Sequence, residues 1–123
     1  MSLTVLTVDD SRTMRDLLKA ALLDAGFTVI QAEDGVHGLE VLQANARTPD
    51  VIVTDINMPR MDGFGFIEAV RADASRCAVR ILVLTTESDA EKKSRARAAG
   101  ATGWIVKPFQ PHKLIDAVRR VAA

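Results

Sequence analysis

The chain has one cysteine, Cys77, in 123 residues, so it forms no internal disulfide and offers no second thiol for a zinc or redox motif. A reducing cytoplasm is the expected setting. Net charge is missing too, because sixteen Lys and Arg offset sixteen Asp and Glu, which leaves no global field to draw nucleic acid or an anionic membrane. Any electrostatic function must be local, and neither of those partners is expected. No apolar run reaches membrane-spanning length, and the start, Met1-Ser2-Leu3-Thr4-Val5, lacks the basic residues and apolar stretch of a signal peptide. No low-complexity tract or linker divides the chain, whose length predicts one domain over residues 1–123 with no output domain attached. What is present, 48% hydrophobic and 26% charged residues, is a globular composition that argues against disorder. A chain of this length buries roughly 65 to 70% of its unfolded surface, so its core needs no covalent staple.

Short apolar runs alternate five times with segments of helical periodicity, a rhythm that predicts βα units. Leu3 to Val8 reads as a strand, followed by Met14, Leu17, Leu18, Ala21, Leu22 and Ala25 on one helical face, with Gly26 as the stop. Thr28 to Ala32 makes a second strand, and Asp34 is placed to cap a helix carrying Val36, Leu39 and Leu42. Val51 to Thr54 is the third strand, and Pro59 and Gly63 mark a loop before a helix carrying Phe64, Ile67 and Val70. Ile81 to Leu84 is the fourth. Ser88 and Glu91 have capping-box spacing for a helix ending near Gly100, and Trp104 to Val106 is the fifth strand before a helix with Leu114, Ile115, Val118 and Val121. Near-continuous apolar strands joined through helices predict a five-stranded parallel α/β sheet covered on both faces. Ligands of such sheets bind beyond the carboxyl ends of the strands.

Those ends are chemically distinctive. The first strand runs into Asp9-Asp10, the third into Asp55, the fourth into Thr85-Thr86 and the fifth into Lys107-Pro108. Three carboxylates and one lysine sum to about −2, and two carboxylates ~4 Å apart repel by about 4 kcal/mol at an effective dielectric near 20. The cluster calls for a cation, and oxygen ligands without His or Cys select a hard one, with Mg2+ favoured over a full Ca2+ cage. A carboxylate beside Mg2+, a lysine and a small hydroxyl is equipment for accepting a phosphoryl group. Asp55 would be the nucleophile, Lys107 and the metal would neutralise phosphoryl charge, and the Thr85 hydroxyl would bond a phosphoryl oxygen. Blander readings stand beside this one: Asp9 and Asp10 as caps of the first helix, Asp55 as a turn residue, and Thr85-Thr86 as ordinary strand-end hydroxyls.

Taken together, Asp9-Asp10-Ser11, Asp55-Ile56-Asn57-Met58-Pro59, Met61-Asp62-Gly63, Thr85 and Lys107-Pro108 resemble a two-component response regulator receiver domain, over nearly the whole chain. Within that family the chain is most similar to the stand-alone chemotaxis regulators. The resemblance implies a doubly wound, flavodoxin-like (βα)5 fold with strand order 2-1-3-4-5. It also implies Asp55 as phosphoacceptor, Asp10 as a direct Mg2+ ligand, Asp9 as a water-mediated one, Asn57 as a ligand through its backbone carbonyl, and a cis bond between Lys107 and Pro108. Thr85 and Trp104 would form the switch, and Asn57 with Glu87 would tune dephosphorylation toward the fast-decaying chemotaxis type.

The chain departs from the family's pattern at two positions. Trp104 replaces a smaller ring, so its inward swing is expected to be incomplete or to demand repacking, and a buried indole N–H needs a partner. Thr86 adds bulk beside the site. The fourth helix carries Lys92, Lys93, Arg95 and Arg97, and the fifth Lys113, Arg119 and Arg120. These form either a solvated basic face or, with Trp104, an output surface for an acidic partner segment. Arg12, Met14, Arg15 and Leu18 are expected on a kinase-specificity surface, His37 and His112 on the exterior, Met58 and Met61 in core or partner contact, and Cys77 in a connecting segment. The expected function is that of a phosphorylation-controlled monomeric binding module, not an enzyme. It would be charged by a sensor histidine kinase of the chemotaxis CheA type and directed at a flagellar motor switch protein. The alternatives are a phosphate sink or relay intermediate and, less favoured, an aspartyl-nucleophile phosphatase, which carries a second Asp where this chain has Asn57. A flavodoxin-like carrier fits poorly, because Asp9-Asp10 would repel its phosphate.

Overall fold

The computed structural model describes residues 3–123. The β-branched and leucine-rich runs form five strands: β1 (Thr4–Val8), β2 (Thr28–Ala32), β3 (Val51–Thr54), β4 (Arg80–Thr85) and β5 (Gly103–Val106). Helices α1 (Arg12–Asp24), α2 (Gly35–Ala44), α3 (Gly63–Ala72), α4 (Ala90–Ala99) and α5 (Pro111–Ala122) follow them in turn. The strands pair in parallel in the order β2-β1-β3-β4-β5, the doubly wound arrangement expected of this pattern. Among the described residues, no helix is long and apolar enough to cross a membrane.

Alternation along the strands supplies two cores. Val5, Val51, Val53, Leu82 and Leu84 face Leu18 and Leu22 of α1 and Leu114, Ile115 and Val118 of α5. On the other side Leu6, Val8, Ile52, Ile81 and Val83 meet Leu42 of α2, Phe66, Ile67 and Val70 of α3, and Ala96 of α4. Phe66 is fully buried, and its truncation to alanine would cost about 3–5 kcal/mol. Ala96 is the single buried residue of α4, so burial anchors that helix least.

The helix ends follow local chemistry. Ser11 caps α1 by accepting from the Met14 N–H, so neither Asp9 nor Asp10 is that cap. Asp34 caps α2 as expected, accepting from the His37 N–H. Two boundaries differ from the sequence expectation. Gly63 opens α3 instead of lying in the preceding loop, because Asp62 takes the capping position and accepts from the Gly65 N–H. The cap of α4 is Asp89, not Ser88: the helix starts one residue later, which puts Glu91 at its second position, where its backbone N–H donates to the Asp89 carboxylate at 2.7 Å. Gly100 ends α4 at φ +117°, a left-handed conformation that disfavours any side chain.

Register sets the position of the site. Val8 lies level with Thr54, and Thr54 with Val83, so Asp9 and Asp55 leave the sheet side by side at its carboxyl edge. Backbone bonds extend the ladder past the strand ends, from the Asp9 N–H to the Ala32 carbonyl at 3.1 Å and from the Asp55 N–H to the Val8 carbonyl at 2.9 Å. On the far side the Lys107 N–H reaches the Thr85 carbonyl at 2.8 Å.

Candidate functional site: an acidic cluster at the strand ends

Asp9 is 1% exposed, and its two oxygens are separately engaged. One accepts from the Ser11 N–H at 2.9 Å and the other from the Lys107 ammonium at 2.8 Å. Asp55 is arranged in the same way, with Oδ1 accepting from the Ile56 N–H at 2.6 Å and Oδ2 from Lys107 at 2.9 Å. Lys107 thus bridges the carboxylates of β1 and β3 from the end of β5, where the Lys107-Pro108 peptide is cis. Asp10 completes the group from an exposed position, and each of the three carboxylates offers an oxygen within 4.8 Å of the others. The structure therefore brings together Asp9, Asp10, Asp55 and Lys107 as the sequence pattern predicts.

The charges in this cluster are unevenly satisfied. Burial pushes the Asp9 carboxyl above its ordinary range, and bonds from Lys107 and the Ser11 N–H only partly oppose it. Burial also acts against the Lys107 ammonium, but its hydrogen bonds to Asp9 and Asp55, with their charges, outweigh that and raise it. Lys107 bonds two of the three clustered carboxylates and, among the described residues, no lysine pairs with Asp10, so the hard oxygens carry negative charge to spare, which fits a divalent cation such as Mg2+.

Beside this cluster, Thr85 is fully buried and its hydroxyl accepts from the Glu87 N–H at 3.3 Å. Glu87 gathers three further contacts. Its carboxylate accepts from the Asn57 side chain at 3.0 Å and pairs with Lys92 of α4 at 3.1 Å, and its carbonyl accepts from the Trp104 indole N–H at 3.1 Å. The Asn57 bond, then Lys92, hold the Glu87 carboxyl below its usual range. Asn57 and Glu87 meet directly across the mouth of the site, and the half-buried indole has the partner it needs. Thr86 is exposed.

Some expectations need correction, and some contacts carry no sequence signal. Leu18, expected on the recognition surface, is 1% exposed and packs in the core, because it lies on the face of α1 turned to the sheet, while the part-buried Arg15 donates to the Asp9 carbonyl at 2.7 Å and so buttresses the β1–α1 turn. His37 is half-buried, not exterior, and its Nδ1 accepts from the Glu33 N–H at 3.0 Å. The basic face of α4 is not simply solvated: Lys92 is paired, and Arg95 stacks 4.0 Å from the centroid of the Phe64 ring. Met58 and Met61 pack against the core, and Cys77 is exposed between α3 and β4 as expected. Asp34 and Arg60 bond across 26 residues of sequence. No periodicity or motif foretells that pair.

Fold and site together define a class, the receiver-type α/β module with an acidic cluster at its strand ends. The chain belongs to the response regulator receiver domain family, whose pattern it matches over residues 5–119. It is 42% identical over 111 residues to chemotaxis protein CheY1 of Helicobacter pylori, covering 89% of each chain. It is 37% identical over 118 residues to chemotaxis protein CheY of Pseudomonas aeruginosa, covering 95% of this chain and 94% of the other. In structure it is similar to the chemotaxis response regulator CheY4 of Vibrio cholerae, at a TM-score of 0.91 and 45% identity, covering 98% of this chain and 99% of that one.

Proposed function

We propose that this chain is a phosphorylation-controlled binding module of the chemotaxis type, with Asp55 as its phosphoacceptor. The observation that carries the reading is the Lys107 ammonium within 2.8 and 2.9 Å of Asp9 and Asp55, on a sheet edge where a third carboxylate stands alongside. An Asp55 carboxylate oxygen attacks phosphorus. A P–O bond forms as the P–N bond of the donor, a phosphohistidine of a CheA-type sensor kinase, breaks, and the imidazole leaves neutral because its other ring nitrogen has taken a proton from solvent. Lys107 exchanges its bond to Asp55 for one to a phosphoryl oxygen, and the Ile56 N–H keeps the other carboxylate oxygen in place. Asp9, Asp10, Asp55 and the Asn57 carbonyl would hold Mg2+, which neutralises phosphoryl charge. The Thr85 hydroxyl then turns to the phosphoryl group. Glu87, which binds Thr85 through its N–H and Trp104 through its carbonyl, carries that movement toward α4, β5 and α5.

On this reading the chain is the substrate of a kinase and a signal for a partner, not an enzyme acting on a separate molecule. Asn57, two residues beyond Asp55, has no acidic proton to give, which argues against an aspartyl phosphatase. The chemotaxis role and a flagellar motor switch partner rest on identities of 37% to 45% with proteins named CheY. A cytoplasmic monomer suits that role. The test is intact mass after incubation with Mg2+ and acetyl phosphate. One phosphoryl group should appear on the parent and none on Asp55→Asn, and equal labelling of the two would overturn the assignment. Binding to a motor switch component should strengthen on phosphorylation, whereas no difference would leave the phosphate-sink reading in its place.

A further inference from the structure

The segment between β3 and α3 carries Asn57 and has to hold a definite shape for its carbonyl to serve a cation. Its neck is closed by a bond from the Gly63 N–H to the Ile56 carbonyl at 2.8 Å. On one side the Asn57 side chain is tied to Glu87. At its tip stands Arg60, the described non-glycine residue with positive φ, at +64°. A side-chain-bearing residue occupies that region only when its surroundings hold it there.

What holds it is Asp34. The Arg60 guanidinium donates from Nε to one carboxylate oxygen at 2.8 Å and from Nη2 to the other at 3.1 Å, a two-pronged contact that a lysine does not reproduce. Asp34 is itself fixed, because its side chain is 7% exposed and also accepts from the His37 N–H at 2.8 Å as the cap of α2. A second bond runs beside this one, from the Gly35 N–H to the Met61 carbonyl at 3.2 Å. A side chain at residue 35 would strike Met61 at 2.7 Å, so only glycine lets the loop tip approach the helix this closely.

We propose that the Arg60–Asp34 pair clamps the tip of the β3–α3 loop to the start of α2 and thereby positions the Asn57 carbonyl for Mg2+. Neither residue touches the site, so both are positioning residues, and the inference rests on reading Asp55 and Asn57 as acceptor and ligand. Arg60 is half exposed, and such pairs contribute little to global stability, so a purely structural role would leave almost nothing to measure. Residues that steady a metal's ligands without touching the metal do change its affinity.

The test is Mg2+ titration by calorimetry on unphosphorylated full-length protein, comparing the parent with Arg60→Gly, Arg60→Lys and Asp34→Asn. Glycine removes the clamp and at the same time suits φ +64°, so backbone strain does not obscure the result. Arg60→Gly should weaken Mg2+ binding on the order of tenfold, with Arg60→Lys intermediate. Asp34→Asn, which keeps a capping oxygen, should weaken it to a similar extent and add nothing to Arg60→Gly in the double variant. Labelling by acetyl phosphate should need more Mg2+ for half-saturation yet reach the parent's maximal rate, a rescue that general damage to the fold would not allow. Mg2+ affinity of Arg60→Gly within about twofold of the parent, or fully additive effects, would overturn the clamp. A parent that labels at Asp55 while its variants bind Mg2+ unchanged refutes the clamp alone, whereas a parent that neither binds Mg2+ nor labels refutes the functional reading as well.

Discussion

Replacing Lys107 by methionine keeps most of the side-chain stem and removes the charge that bridges Asp9 and Asp55. At an effective dielectric near 20, each contact of 2.8 to 2.9 Å is worth about 6 kcal/mol of attraction, most of it offset by the desolvation of the ions. Removing one partner of a buried pair costs about 3–5 kcal/mol. The low end applies here, because the cluster opens to solvent at Asp10. A loss of about 3 kcal/mol lowers the melting temperature of a chain this size by roughly 10 °C. The deficit should also depend on pH. Burial already holds the Asp9 carboxyl above its ordinary value, and without Lys107 it rises further. A raised carboxyl costs stability only where it is ionised. The deficit should therefore be small below the unfolded value of about 3.9 and grow as pH rises through the folded value. The parent's own lysine contribution, from a raised ammonium, is lost only above about pH 10, so the difference is fully expressed at neutrality. Mg2+ should stabilise Lys107→Met more than the parent, because the competing ammonium is gone. Thermal melts in EDTA and in Mg2+ between pH 4 and 8 read all three effects. A loss under about 1 kcal/mol, a deficit flat with pH, or equal stabilisation of both proteins by Mg2+ would refute this account.

Asp89→Ala should cost about 1 kcal/mol in urea unfolding while Ser88→Ala changes little, and the reverse order would return the cap of α4 to Ser88. Gly63→Ala places a methyl group against the Asp55 carbonyl oxygen and the Ile56 backbone, so it should destabilise by about 1–3 kcal/mol and slow labelling of Asp55. A stabilised Gly63→Ala protein would show that this approach is not tight. Trp104 is the only tryptophan, and its indole is tied to the Glu87 carbonyl, so its emission should shift when Asp55 is fully labelled. An unchanged spectrum at full labelling would remove Trp104 from the switch.

The strands are legible in the sequence because their β-branched runs are bounded by Gly, Pro and Asp, and their period differs sharply from that of the helices that follow. Strand order is a different matter. A βα repeat admits several orders, and here the order comes from the resemblance carried by Asp9-Asp10, Asp55 and Lys107-Pro108 and is then confirmed by the register. The site is legible for the same reason that it exists: a parallel sheet delivers every strand's carboxyl end to one edge, so residues far apart in the chain become neighbours without any local signal. The contacts that do not lie at strand ends escape this logic. Arg15 to the Asp9 carbonyl and Arg60 to Asp34 depend on where long side chains happen to reach, and Ser88 and Asp89 are adjacent residues of equal capping ability.

The distribution of burial bears on how a small charge change at Asp55 could be felt at a distance. Strands β1, β3 and β4 are packed on both faces, and rearranging them would mean breaking a close-packed core. Helix α4 is held differently, by one buried alanine, the Asp89 cap, Lys92 on Glu87, Arg95 on Phe64, and Arg71 bonded to the Gly100 carbonyl at 2.8 Å. Polar contacts of this kind are individually weak and exchangeable, so the segment they hold belongs to the less stable part of the molecule. Among the described residues, Glu87 is the one whose contacts include Asn57 and Thr85 on the site side and Lys92 and Trp104 on the other. A phosphoryl group that drew Thr85 toward itself would, on the proposed function, disturb Glu87, and through Lys92 and Trp104 the disturbance would pass to α4 and β5. On the proposed function, the low apolar content of α4 is what allows the rigid sheet to report a change at its edge.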